Sequence, residues 1–200
     1  MAAAEDDLST MSDRLPPIPP ENWTDAQQRF AREIIEGPRG ALISPFIPLL
    51  RSPELMSHAQ RMGEYLRYRS ALGLRLSELA ILIVARHWSQ DVEWAIHEPI
   101  ARREGISAET VEAFSLRRKP LNLPEDEAVV YEFCLQLNES KKVEDCTWNQ
   151  AVHMFGEQGA VDLVGINGYY TLLAMVMNAA QTPPPPTSVA PLPAVPEIPT

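Results

Sequence analysis

Glu78, Glu93 and His97 share one stretch, ELAILIVARHWSQDVEWAIH, in the frame E-x11-Q-x2-E-x3-H. On a helix Glu93 and His97 stand on one face, a turn apart. A carboxylate there orients an imidazole and favours its protonated form, which makes the pair an acid-base couple. Glu78 opens an apolar run, Leu79 to Ala85, that reads as buried. Three titratable groups converging on an apolar wall is how proteins build sites that move protons. His97 with Glu93 and Glu78 is therefore the expected catalytic set.

Neighbouring residues carry weaker signals. Gln90, Trp94, His87 and Tyr169 are candidate substrate contacts, although aromatic side chains in such helices more often fill the core. Tyr169 and Tyr170 lie in a glycine-containing apolar helix, from which a hydroxyl could reach a pocket. Glu93-x3-His97 resembles half of a metal site, with Glu78 a possible third ligand. Metal sites need three or four ligands in defined geometry, H-E-x-x-H is absent and His153 is isolated, so no metal is expected. No phosphate-cradling loop and no dinucleotide fingerprint occurs.

The elements that must position these groups read as helices. Thr24 and Gln27 form a capping box for a helix toward Gly37, and Ser52-Pro53 opens another to about Ala71. Leu76–Trp88 and Asp91–Glu104 follow, then a short helix from Ser107, then Pro124–Glu139, Glu144–Gly156 and Ala160–Gln181. No alternating strand pattern interrupts them, so the fold class is all-α. The last segment is apolar on most sides and holds Gly165 and Gly168, which cost helix stability and mark a close approach by another helix or a ligand. Such a helix belongs at the centre or in a subunit interface.

The chain has 200 residues, is 45% hydrophobic and carries a formal net charge of −10. That charge argues against nucleic acid and anionic membranes as partners, while a local Arg or His can still admit a small anionic substrate. Cys134 and Cys146 form no CxxC and imply no disulfide framework. The acidic start lacks the pattern of a signal peptide, and no apolar run approaches a membrane span, so a cytoplasmic location is expected. Proline-rich ends divide the chain into an arm over 1–21, a helical domain over 22–181 and a tail over 182–200. The tail reads as extended polyproline-like chain, with Val189, Leu192, Val195 and Ile198 able to dock on its own or a neighbouring subunit.

E-L-A-I-L, E-W-x-x-H, A-R-R-E-G-I-S and G-Y-Y-T-L-L-A-M-V-M-N-A resemble the carboxymuconolactone decarboxylase family, within the wider alkylhydroperoxidase D-like superfamily. The resemblance covers roughly residues 50–180. It implies a helical bundle built on a helical hairpin, assembled as a homotrimer or homohexamer. Redox members of the superfamily carry E-x11-C-x2-C-x3-H; here Gln90 and Glu93 stand at the two cysteine positions, so a dithiol peroxidase cycle is disfavoured. The decarboxylase branch implies a lyase or isomerase without metal or organic cofactor, acting on a small carboxylated lactone or aromatic ring-cleavage product. In that expectation His97 moves the proton at carbon, Glu93 holds the imidazole, and Glu78 hydrogen-bonds substrate oxygen. A peroxidase and a non-catalytic binding or assembly protein are the alternatives.

Overall fold

A computed structural model describes residues 13–186 and 189–194, and those residues form helices and no strand. The N-terminal 1–12 and the tail residues Val195 and Ile198 lie outside them. After a 3-10 turn at Pro20–Asn22 come α1 (Asp25–Ile35), α2 (Phe46–Leu49), α3 (Pro53–Tyr68) and α4 (Gly73–His87). Then follow α5 (Asp91–Arg103), α6 (Ala108–Ser115), α7 (Glu125–Ser140) and α8 (Asp145–Ala180).

Helix starts follow their chemistry. Thr24 accepts from the Gln27 amide while the Gln27 side chain accepts from the Thr24 amide, closing the capping box of α1. Ser107 caps α6 through the Thr110 amide. Pro53 sits in the first turn of α3, where its missing N–H costs nothing.

The centre is α4, buried without interruption from Leu76 to Arg86. A helix apolar on all sides can be satisfied only by neighbours all round, and α5, α7 and α8 supply them. α4 and α5 form a hairpin whose turn is pinned to α8. The Trp88 indole donates to Thr171 Oγ1 at 3.1 Å, Asn178 donates to the Trp88 carbonyl at 3.0 Å, and Gln90 donates to Asn178 Oδ1 at 2.7 Å.

α8 differs from the sequence reading in one respect. By length and composition it could cross a membrane, yet more than half of its most apolar stretch is buried inside the protein. The sequence reading has no apolar run approaching a span; it also ends one helix at Gly156, and the backbone does break there, at φ 73° and ψ 170°. That conformation is open essentially to glycine alone. Of the two glycines expected to mark close approach, Gly165 has Leu66 of α3 at 3.1 Å from where a Cβ would stand, and Gly168 has open space.

Both ends of the described chain fold back on the bundle. The Arg14 amide donates to the Ala180 carbonyl at 2.8 Å, and the Trp23 indole donates to the Ile18 carbonyl at 2.8 Å. At the other end, the Leu192 amide donates to Asp91 Oδ1 at 2.9 Å, while Val189 and Leu192 pack against the core. The tail lies across α5 and α6 of its own chain.

Candidate active site

Glu78 projects from the middle of α4 and is fully buried. His97 comes from α5, the other arm of the hairpin, and its Nδ1 lies 2.6 Å from Glu78 Oε2. The i, i+4 step along α5 brings Glu93 Oε2 to 3.2 Å from His97 Nε2. Each ring nitrogen therefore faces a carboxylate, and the imidazole bridges two acids in a space it fills, with the Tyr170 ring edge-on at 5.2 Å.

The electrostatics favour an imidazolium. Burial works against a charged ring, but the Glu78 carboxylate, through charge and hydrogen bond, outweighs it together with Glu93 and raises the His97 pKa to about 9. Arg67 of α3 approaches from behind, its Nε 3.8 Å from Glu78 Oε1, ion-paired without a hydrogen bond. Burial first, and then the nearby carboxylates, also raise Tyr170 well above an ordinary phenol.

His97 and Glu93 line a cavity of about 20 Å³ that they share with Tyr169, Tyr170, Arg67 and Arg39. Ile43, Ser44, Pro45 and Phe46, from the segment linking α1 to α2 and the start of α2, complete its wall. Three polar atoms around it are buried without a hydrogen-bond partner: Glu93 Oε1, the Tyr169 hydroxyl and Arg39 Nε. Buried polar atoms are nearly always paired, so three orphans around one small space mark a place where polar groups of a ligand fit. Tyr169 reaches this position because α3 presents a glycine beneath it; a Cβ on Gly63 would stand 2.2 Å from the phenol oxygen.

The geometry reverses the expected division of labour between the acids. Glu78 holds the imidazole and is sealed from the cavity, while Glu93 presents its free oxygen to it. Tyr169 lies at the cavity as well. Three other candidates do not. Gln90 is the N-cap of α5, accepting from the Val92 amide at 2.6 Å. Trp94 is buried on the opposite side of α5, where the tail crosses. His87 belongs to a separate cleft between α4 and α7. Sequence reasoning missed Arg39 and Arg67, which come from distant parts of the chain and share no spacing with the motif.

No group of three or more His, Cys, Asp or Glu side chains among the described residues is arranged to hold a metal ion. Cys134 is buried, its thiol pushed up to about 12 by burial, and Cys146 is exposed on another helix, so the two supply no dithiol to this cavity. A scan against models of protein families gives no match to this chain, and a search of curated proteins gives no significant match.

Proposed function

We propose that the protein is a cofactor-independent lyase or isomerase of the carboxymuconolactone decarboxylase type, on an alkylhydroperoxidase D-like scaffold, acting on a small carboxylated lactone or aromatic ring-cleavage product. The observation that carries this reading is the buried Glu78–His97–Glu93 chain, which ends in an orphaned carboxylate oxygen beside two arginines and a phenol. Arg39 and Arg67 bind the substrate carboxylates, reversing locally the field of an acidic chain. Loss of CO2 leaves its electron pair on the conjugated lactone as a dienolate. The His97 imidazolium gives up its Nε2 proton, and the Glu93 carboxylate relays it to carbon. The neutral imidazole then keeps Nδ1–H on Glu78, which fixes the tautomer, and a proton from solvent resets the chain. The Tyr169 hydroxyl donates to the enolate oxygen.

A cavity of about 20 Å³ has room for little more than one water. Substrate entry on this reading requires part of the cavity wall to move outward. The reading extends to a homotrimer or homohexamer in the cytoplasm, in aromatic compound breakdown. Val161, Val164 and Met175 support assembly, being 59%, 42% and 48% exposed along α8, with Gly168 open between them.

The tight cavity also favours a second reading, in which Glu78, His97 and Glu93 are a buried structural network with no turnover. Turnover of carboxylated lactones in D2O separates the two. The enzyme reading requires uptake of one deuterium at a carbon of the dienolate, and a loss of roughly 10²–10⁴-fold in kcat in Glu93→Gln. No deuterium uptake across such a panel removes it.

A further inference from the structure

The far end of α4 meets α6 and α7 around a second cavity, of about 110 Å³, that shares no residue with the first. Eight residues of helix separate Glu78 from Arg86, about 12 Å. Arg86 lines this second cavity and is only 5% exposed, yet its Nε and Nη1 have no hydrogen-bond partner. A guanidinium presents five donors and cannot shed its charge at working pH, so burying it unpaired is costly unless an anion completes it.

The surroundings sharpen the charge. Arg117 and Arg118 stand on the wall with His87. Arg117 is held there by donating to the carbonyls of Arg86 at 3.3 Å and His87 at 3.2 Å, which end α4. Burial, and then Arg117, lower the Arg86 pKa, with Asp91 opposing. Burial, Lys141 and Arg117 do the same to His87, with Glu139 opposing. Glu139 is the anionic group on the wall, and it is exposed. Of the remaining wall, Asn138 spends its amide on the Cys134 carbonyl and Asn167 Oδ1, and the rest is Ile83, Leu135, and the Phe114 and Tyr131 rings stacked at 5.6 Å.

We propose that this cavity binds a small aromatic carboxylate, its carboxylate bidentate on the Arg86 fork and its ring against Phe114, Tyr131 and Leu135. The charge calls for an oxyanion, the fork matches a planar carboxylate, and the apolar wall calls for a body that a bare phosphate lacks. A cavity of about 110 Å³ has room for on the order of four waters, enough for the carboxylate and part of a ring whose far edge lies in the open mouth.

Titration calorimetry and thermal shift of the full chain with benzoate, with inorganic phosphate and acetate as parallel arms, test the assignment. Benzoate is expected to bind saturably and raise Tm, with phosphate and acetate at least tenfold weaker. Arg86→Met is expected to abolish benzoate binding while the ligand-free protein stays folded, since it removes an unpaired buried charge. Should that variant fail to fold, Arg86→Lys keeps the charge and loses the fork, and a tenfold or greater weakening is expected. Arg118→Ala is expected to weaken binding severalfold. Phosphate binding as tightly as benzoate, no benzoate binding, or full affinity in Arg86→Lys would each overturn the proposal. Benzoate binding lost in Glu93→Gln but kept in Arg86→Met would place the ligand in the first cavity and overturn it too. None of these readouts depends on turnover, so they stand apart from the fate of the proposed lyase reaction.

Discussion

At the scale of single residues, His97 is set by the two acids that flank it, and this gives its contribution to stability a definite dependence on pH. The folded-state pKa, about 9, lies above the 6.5 of an ordinary imidazole side chain. A group raised in this way adds stability that is complete below the unfolded pKa and is lost as pH rises through the folded one. The expected outcome is a His97-dependent decline in Tm between pH 6.5 and 9, absent in His97→Asn; parallel Tm profiles for the two proteins would contradict the raised value. Glu78→Gln weakens the partner that most favours the charge and should shift the fall in Tm toward lower pH. The three central residues were legible in the sequence because one step of four along a helix fixes Glu93 against His97. The roles of the two acids were not, because which carboxylate faces the cavity depends on the packing of α4, buried all round, against α5. Arg39 and Arg67 had no signal at all, since each is brought in by an element outside the motif.

At the scale of elements, the helices were readable wherever capping chemistry marks their ends, as at Thr24, Ser107 and Pro53. The short α2 was not, since Pro45 and Pro48 read as breakers, while Phe46 and Leu49 earn their turn only by burial against the rest of the fold. Glycines show how much of a helix is decided by its neighbours. Gly63 and Gly168 are both helical, and alanine would raise intrinsic helix stability by roughly 1 kcal/mol at either. At Gly63 the new methyl meets the Tyr169 phenol at 2.2 Å, and overpacking of that kind costs about 1–3 kcal/mol. Gly63→Ala is therefore expected to be net destabilising in urea titrations and to displace Tyr169 from the candidate site. Gly168→Ala, with nothing within 4 Å, is expected to stabilise the chain. Equal effects of the two substitutions would mean that Tyr169 is not seated against α3. Gly156→Ala should cost at least ~1 kcal/mol, because its φ and ψ are strained for any side chain.

At the scale of the whole molecule, the proline-rich tail raises a question of magnitude. Val189 and Leu192 are half-buried, so their packing contributes roughly 1–3 kcal/mol together. Ordering a flexible segment costs about 1–2 kcal/mol per residue, which would exceed that gain over the six residues from 189 to 194. Pro191 and Pro193 narrow the difference, because their φ is already fixed and they have little backbone freedom to lose. One further hydrogen bond, from the Leu192 amide to Asp91, adds about 1 kcal/mol. Docking therefore depends on the prolines as well as on the contacts. Replacing Pro191 and Pro193 by glycine should release the segment while leaving global Tm nearly unchanged. Hydrogen exchange at the Leu192 amide reads this directly: its protection should fall several-fold in the double variant. Protection equal to that of the parent chain would show that the contacts hold the tail unaided, and that its proline content has some other cause.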